Sequence, residues 1–353
     1  MIHVAQLFTC LLLAGYAGAQ TQNYARYDHA MAYLGGYLFV AGGRTESKDF
    51  TDTSLVLSLG TRVNSNTPDW QVQNGTNVPR GNGMAMVGLS SKYKFQVVLY
   101  GGDIPKDTNQ YSDHEFSVLG QPDGDWGFIS QSEIPARRMG STLTYAPDRE
   151  VIFILGGTEQ SDTDQMAADP FDHMYFPASE NCVPVRMQSE APSSRFNHGA
   201  VMLNSSHLVV VGGMESATQA ASLDQVHLLD TLTQTWSQVT TQGSEWFQSL
   251  TSSPPVVYKQ RLYFFGGRIQ NNNQTLDSFL VLDTTTYPWT WSNETLKQDP
   301  DQDSLQGRYS HTTFAAGQYM FIAFGKTEQG ETDELVVIDL ENKKRINEFD
   351  PAL

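Results

Sequence analysis

Six times along the chain a short, unbroken apolar run ends in a glycine pair or its remnant. The runs are Leu38–Gly43, Val97–Gly102, Ile152–Gly157, Leu208–Gly213, Leu262–Gly267 and Phe321–Gly325. The first glycines lie 59, 55, 56 and 54 residues apart, and Phe324 takes the sixth place 58 residues on. A period that regular predicts one small unit stacked six times, each needing its neighbours to bury its faces. The runs are apolar at nearly every position, as expected of strands buried on both sides. No segment carries sustained 3.6-residue periodicity with caps, so helices are not expected.

Each unit repeats the same parts in order. An arginine turn comes first, at Arg26, Arg80, Arg138, Arg195 and Arg308. A strand follows, three times through a histidine: His29, His198 and His311. Then come the apolar run with its glycines, a polar loop, and an aliphatic strand closing on Asp230, Asp283 or Asp339. Such an Asp starts a tight turn by bonding the backbone two residues on. The last strand opens near Trp70, Trp126, Trp236, or Trp289 and Trp291, whose large faces suit packing between units. The pattern predicts an all-β, six-bladed β-propeller of four-stranded antiparallel blades. The blades fall at 24–75, 79–131, 135–188, 192–243, 246–298 and 305–349, within one domain spanning 20–353. Ring closure is left open between the segment after Gln20 and Lys344–Phe349.

The order Arg-x-x-His, apolar-Gly-Gly, aliphatic-Asp and Trp resembles the kelch repeat over nearly the whole chain. Copy five departs, with Ser252-Ser253-Pro254-Pro255 in place of Arg and His. Copy six has Phe324-Gly325 and only Arg345-Ile346 near the Trp place, and copy three lacks a Trp. The resemblance implies a binding propeller whose ligand sits on the loop face around the central channel.

Composition adds a compartment. Residues 1–19 read as a signal peptide: Val4–Ala17 is largely apolar, and Ala17-Gly18-Ala19 has the small-x-small form of a cleavage site. Mature sequence then starts at Gln20, the product is expected to be secreted, and no later run is long enough for a membrane helix. A cell-surface ectodomain is the variant of that expectation. Sequons at Asn74, Asn204, Asn273 and Asn293 fit a glycoprotein. Formal charge is -17, which disfavours nucleic acid and anionic membrane as partners. Cys182 is the one cysteine after the signal and is expected to be a buried hydrophobe near a Trp place.

Two sets of residues are candidates for recognition. Five of the 13 arginines occupy the repeat position, so Arg26, Arg80, Arg138, Arg195 and Arg308 either brace an adjacent blade or form a partly basic ring at one channel mouth. Directly after the glycines stand Arg44, Asp103, Thr158, Met214, Arg268 and Lys326. They vary from copy to copy, as a recognition surface requires, and the resemblance places Arg44 and Arg268 at a ligand-binding mouth. The expected partner is a protein or a glycan, with an acidic peptide or glycan carboxylate favoured by the guanidinium groups.

Enzymatic readings have less to stand on. Galactose-oxidase-like copper chemistry needs a Cys–Tyr cross-link, and Cys182 falls in an outer strand. A sugar epimerase is the other rival. The acidic loop with Glu159, Asp162, Asp164, Asp169 and Asp172 lacks the glycine and closing Glu of an EF-hand. Gln165-x-x-x-Asp169-x-x-x-His173 is similar to the iron motif of nitrile-specifier kelch proteins, but Gln replaces its first carboxylate. No nucleophile elbow, His-Glu-x-x-His or phosphate loop occurs. Neither a cofactor nor a metal is therefore assigned.

Overall fold

The computed structural model describes residues 23–352 apart from 48–49, 52, 91–94, 105–114, 160–167, 169, 186, 246, 248, 270–273 and 298–303. It contains six four-stranded antiparallel units, each running from an inner to an outer strand. Blade 1 is Ala30–Leu34, Tyr37–Ala41, Leu55–Ser58 and Gln71–Val72. Blade 2 is Asn82–Ser90, Phe95–Asp103, Glu115–Leu119 and Gly127–Ser130. Blade 3 is Thr142–Ala146, Val151–Leu155, His173–Phe176 and Asn181–Pro184. Blade 4 is Gly199–Met202, His207–Val211, Gln225–Asp230 and Thr235–Gln242. Blade 5 is Val256–Tyr258, Arg261–Phe265, Phe279–Asp283 and Trp289–Glu294. Blade 6 is Thr312–Ala316, Tyr319–Ala323, Leu335–Asp339 and Lys344–Ile346. The outer strands of blades 4 and 5 also pair, in parallel, at Thr241–Trp289 and Gln242–Thr290.

Strand alternation explains why the second strands are apolar throughout. Successive side chains point to opposite faces, and each face meets a different neighbour. In blade 3, Ile152 and Ile154 join the core shared with blade 2, while Phe153 and Leu155 join the core shared with blade 4. In blade 1, Leu38 and Val40 pack toward blade 6, while Phe39 and Ala41 pack toward blade 2. Six apolar clusters result, one at each joint. The tryptophans sit in these joints: Trp70 at 6/1, Trp126 at 1/2, Trp236 at 3/4, and Trp289 with Trp291 at 4/5.

Two joints use something else at the tryptophan place. Trp236 lies opposite Leu229 and Trp291 opposite Leu282 across the outer strand pairs. The corresponding residue is Cys182, opposite Tyr175, in blade 3 and Arg345, opposite Ile338, in blade 6. Cys182 is fully buried at the 2/3 joint, where burial pushes its thiol up to about 12.

The glycine pair is a packing device. A Cβ on Gly42, Gly156, Gly212 or Gly266 would lie 2.2 Å from a backbone carbonyl of the next blade. The second glycine donates its amide to that same carbonyl: Gly43 to Gly81 at 2.7 Å, Gly157 to Arg195 at 2.9 Å, Gly213 to Leu250 at 2.9 Å and Gly267 to Arg308 at 2.8 Å. Gly325 repeats the bond to Arg26 at 2.9 Å and so joins blade 6 to blade 1. These bonds also fix the register of the irregular copies. Gly81, not Arg80, stands where Arg26 stands, and copy five has Leu250 there.

Closure uses no shared blade strand among the described residues. Lys344–Ile346 completes blade 6 unaided. A clamp beyond it pairs Glu348 with Asn64 and Phe349 with Val63, and Arg62 meets Asp350 at 2.8 Å.

Candidate functional site

The blade entry turns converge on the axis. Asp28, Gly83, Gly140, Asn197, Ser252 and Ser310 all have positive φ, between 52° and 65°. Their amides and carbonyls form a circuit at 2.8–3.0 Å: Asp28 donates to Ser310, Gly83 to Asp28, Gly140 to Gly83, Asn197 to Gly140 and Ser252 to Asn197. Gly, Asn, Asp and Ser tolerate or favour this left-handed region. That preference is a local sequence signal for these six positions.

Beneath the circuit lies an axial cavity of about 280 Å³. His29, His198 and His311 line it. All three are buried, and burial, reinforced by the arginine of the same turn, lowers their pKa. His198 and His311 fall to about 3 and His29 well below its usual value, so the imidazoles are neutral.

The repeat arginines do not line this cavity. Arg26, Arg138, Arg195 and Arg308 are buried, and Arg80, one residue out of register, is half-buried. Their bonds run within their own blades. Arg26 Nη1 donates to the carbonyls of Gly42 (3.1 Å) and Thr53 (2.8 Å). Arg195 reaches Gly212 at 3.2 Å and Arg308 reaches Phe324 at 3.3 Å. Arg138 bonds the Pro170 carbonyl and the Asp172 carboxylate. Arg26, Arg195 and Arg308 brace their own glycine turns and Arg138 the loop beside its own, and the backbone carbonyl at the arginine place makes the contact to the preceding blade. Asp172 also meets His173 at 2.7 Å; burial opposes its charge, but His173 and Arg138 hold its pKa below the usual value.

The residues after the glycine pairs form the next tier outward on the same face. Each pairs with the residue before the circuit: Arg44 with Tyr27, Asp103 with Asn82, Thr158 with Met139, Met214 with Phe196, Arg268 with Thr251 and Lys326 with Tyr309. Thr158 and Met214 are buried there, whereas Arg44, Asp103, Arg268 and Lys326 are partly exposed. Three cations thus occupy consecutive blades 5, 6 and 1, and tyrosines accompany them. Arg268 lies over the Tyr309 ring at 4.3 Å, and Tyr27 has Lys326 at 4.9 Å and Arg44 at 5.9 Å. Arg44 is tied to Asn82 Oδ1 at 2.6 Å and Asp28 at 3.5 Å, and Lys326 faces Glu46 at 3.8 Å. Burial raises the Asp28 pKa against the Ser310 hydroxyl, Arg44 and Lys326, which lower it. Arg268 has no carboxylate partner among the described residues. Tyr27, Tyr309 and Asn82 belong to this face although the sequence did not single them out.

Other candidates are scattered. Asn74, Asn204 and Asn293 are exposed, and Asn273 lies outside the described residues. So do Asp162, Asp164, Gln165 and Asp169, as does the segment 1–19. Among the described residues no three of His, Cys, Asp and Glu gather as a metal site, and no helix is long and apolar enough to cross a membrane.

Six radial four-stranded blades, each with a glycine turn locked to its neighbour, define a kelch-type β-propeller. The model of the KLHDC2/KLHL20/DRC7 Kelch-repeats domain matches residues 83–295 and 172–348, well over half of the chain, and the chain belongs to this kelch-repeat family. It is similar to Kelch domain-containing protein 3 of Homo sapiens and of Bos taurus. Each is 28% identical over 206 residues, which is 54% of this chain and 48% of the relative. The protein of that name from Rattus norvegicus is 28% identical over 207 residues. The match thus spans about half the length of these curated relatives.

Proposed function

We propose that this chain is a protein-binding propeller that captures an acidic segment of its partner on the face carrying Arg268, Lys326, Arg44, Tyr309 and Tyr27. The observation that carries this reading is Arg268: a half-buried cation stacked on Tyr309, with no carboxylate partner among the described residues, in a protein of formal charge -17. An arginine over an aromatic face is held in place yet keeps its donors for a carboxylate. The family supports a protein partner, and the cations on blades 5, 6 and 1 support an acidic one.

Secretion belongs to the same proposal. The leader-like residues 1–19 and the exposed Asn74, Asn204 and Asn293 support it. Expression of the chain in eukaryotic cells should deliver a product to the medium that begins at Gln20 and loses mass on N-glycosidase treatment.

Capture from that medium, using tagged wild type and Arg268→Glu, tests the binding face. The variant should lose the partner and keep its thermal midpoint. Arg44 and Lys326 are left intact because a glutamate at either place would add to the charge of Asp28. Equal capture by both forms, or binding to a glycan array in place of protein, removes the reading.

A further inference from the structure

The residues directly after the axial circuit are His29, Met84, Ser141, His198, Ser253 and His311, and all face the axial cavity. The three imidazoles are only 4%, 6% and 3% exposed, so each needs partners inside the protein. Two find one in the preceding blade. His29 Nε2 bonds Thr312 Oγ1 at 2.6 Å, and His198 Nε2 bonds Thr142 Oγ1 at 3.0 Å. Each threonine stands two residues after its circuit residue, Ser310 or Gly140.

By the same rule His311 should bond the residue two after Ser252, which is Pro254. Proline has no hydroxyl. Neither ring nitrogen of His311 completes a side-chain bond; Nδ1 is unpaired in all three rings, Nε2 in His311 alone, and the Arg308 backbone interacts with the His311 ring. The backbone breaks at the same joint. The Ser310 amide makes no bond to the Ser252 carbonyl, the one link missing from the circuit among the described residues. Ser141 Oγ, in a residue 7% exposed, is also unpartnered at this cavity.

We infer that the joint between blades 5 and 6 is a binding site for a small neutral hydroxyl-bearing guest, water or a polyol, bridging His311, Ser310 and Ser252. A neutral imidazole offers one donor and one acceptor, and a hydroxyl is both. The guest accepts from the Ser310 amide and donates to the Ser252 carbonyl in the same way. A cation is opposed by Arg308 beside the ring, and an anion by Asp28, whose carboxylate shares a hydrogen bond with Ser310. With about 30 Å³ of liquid volume per water, the cavity accommodates a small water cluster or one glycerol-sized molecule.

Crystals of the intact chain grown without polyol, and the same crystals soaked in glycerol, test this at high resolution. Ordered density is expected within hydrogen-bond reach of His311 and Ser310. Separate spheres unchanged by glycerol identify water; one continuous feature after the soak identifies a polyol. Pro254→Thr should supply a hydroxyl that bonds His311 and displaces the density from that ring. A bare joint in the wild type, an anomalous metal peak, or density still bonded to His311 in folded Pro254→Thr overturns the inference. Should that variant not fold, the wild-type density and the His311 ring ¹⁵N shifts in the two solvents decide alone.

Discussion

The amide of Gly325 donates to the carbonyl of Arg26 at 2.9 Å, so the last glycine turn of the chain holds the first arginine turn. The residue before it is Phe324, at φ +57°, where the other copies have glycine. Its ring is wholly buried among His29 (5.1 Å), Trp70 (5.2 Å) and the Arg26 guanidinium (5.7 Å). Phe324→Gly would restore the repeat pattern and relieve the positive φ, yet it should destabilise by about 3 kcal/mol because the joint loses its filler. Urea unfolding reads the difference, and a stabilised variant would sink this account of closure.

Gly212→Ala tests the glycine pair. Its Cβ would sit 2.2 Å from the Leu250 carbonyl, at φ +62°. A loss of about 2–5 kcal/mol is expected, from backbone strain and a blade pushed outward. Gly36→Ala has a similar φ of +86° but nothing within 4 Å, so it should cost about 1–2 kcal/mol. Comparable losses in the two variants would mean that blade contact is not what selects glycine.

The buried histidines predict an acid-labile ring. Their folded pKa values are depressed, to about 3 for His198 and His311, while unfolded imidazoles titrate near 6.5. Below about pH 6.5 the unfolded chain takes up protons that the folded chain refuses. Stability is therefore complete above that pH and falls progressively toward pH 3. Thermal midpoints across this window should decline, and less steeply in His198→Gln. A flat profile would contradict the burial of these rings.

Glu334 joins two arginines, Arg308 and Arg345, the latter at 2.6 Å. Burial alone would raise its pKa, but the two guanidinium groups hold it below the usual value. Its contribution is present above about pH 4.3, the unfolded value, and disappears as the pH falls through the lower folded one. Glu334→Gln should lose about 2–3 kcal/mol at neutral pH, because both arginines are buried and their shared carboxylate is partly solvated. Chemical denaturation at pH 7 and pH 3 checks it: the gap between wild type and variant should close in acid.

Much of the architecture was legible in the spacing of Leu38–Gly43 and its five copies. A strand apolar on both faces must be covered twice, and a fixed period implies the same covering each time. The turn aspartates were equally local: Asp230, Asp283 and Asp339 bond the amides of Leu232, Thr285 and Glu341 at 2.9–3.0 Å. The repeat arginines could not be resolved in this way, because their bonds go to carbonyls 16 and 17 residues onward, as Arg26 to Gly42 and Arg195 to Gly212. Spacing places Arg80 with them, and only the Gly43–Gly81 bond shows the one-residue shift.

Short-range pattern, in short spans of chain, determined the strands, their burial on both faces and the number of blades, since those depend on side chains a few positions apart. Tertiary structure decided which charges are free. Arg268 over Tyr309, Arg44 against Asn82 and His311 opposite Pro254 are meetings between different blades. Whether a charge or an imidazole finds its partner depends on what the adjoining blade presents, and repeat spacing carries no record of that.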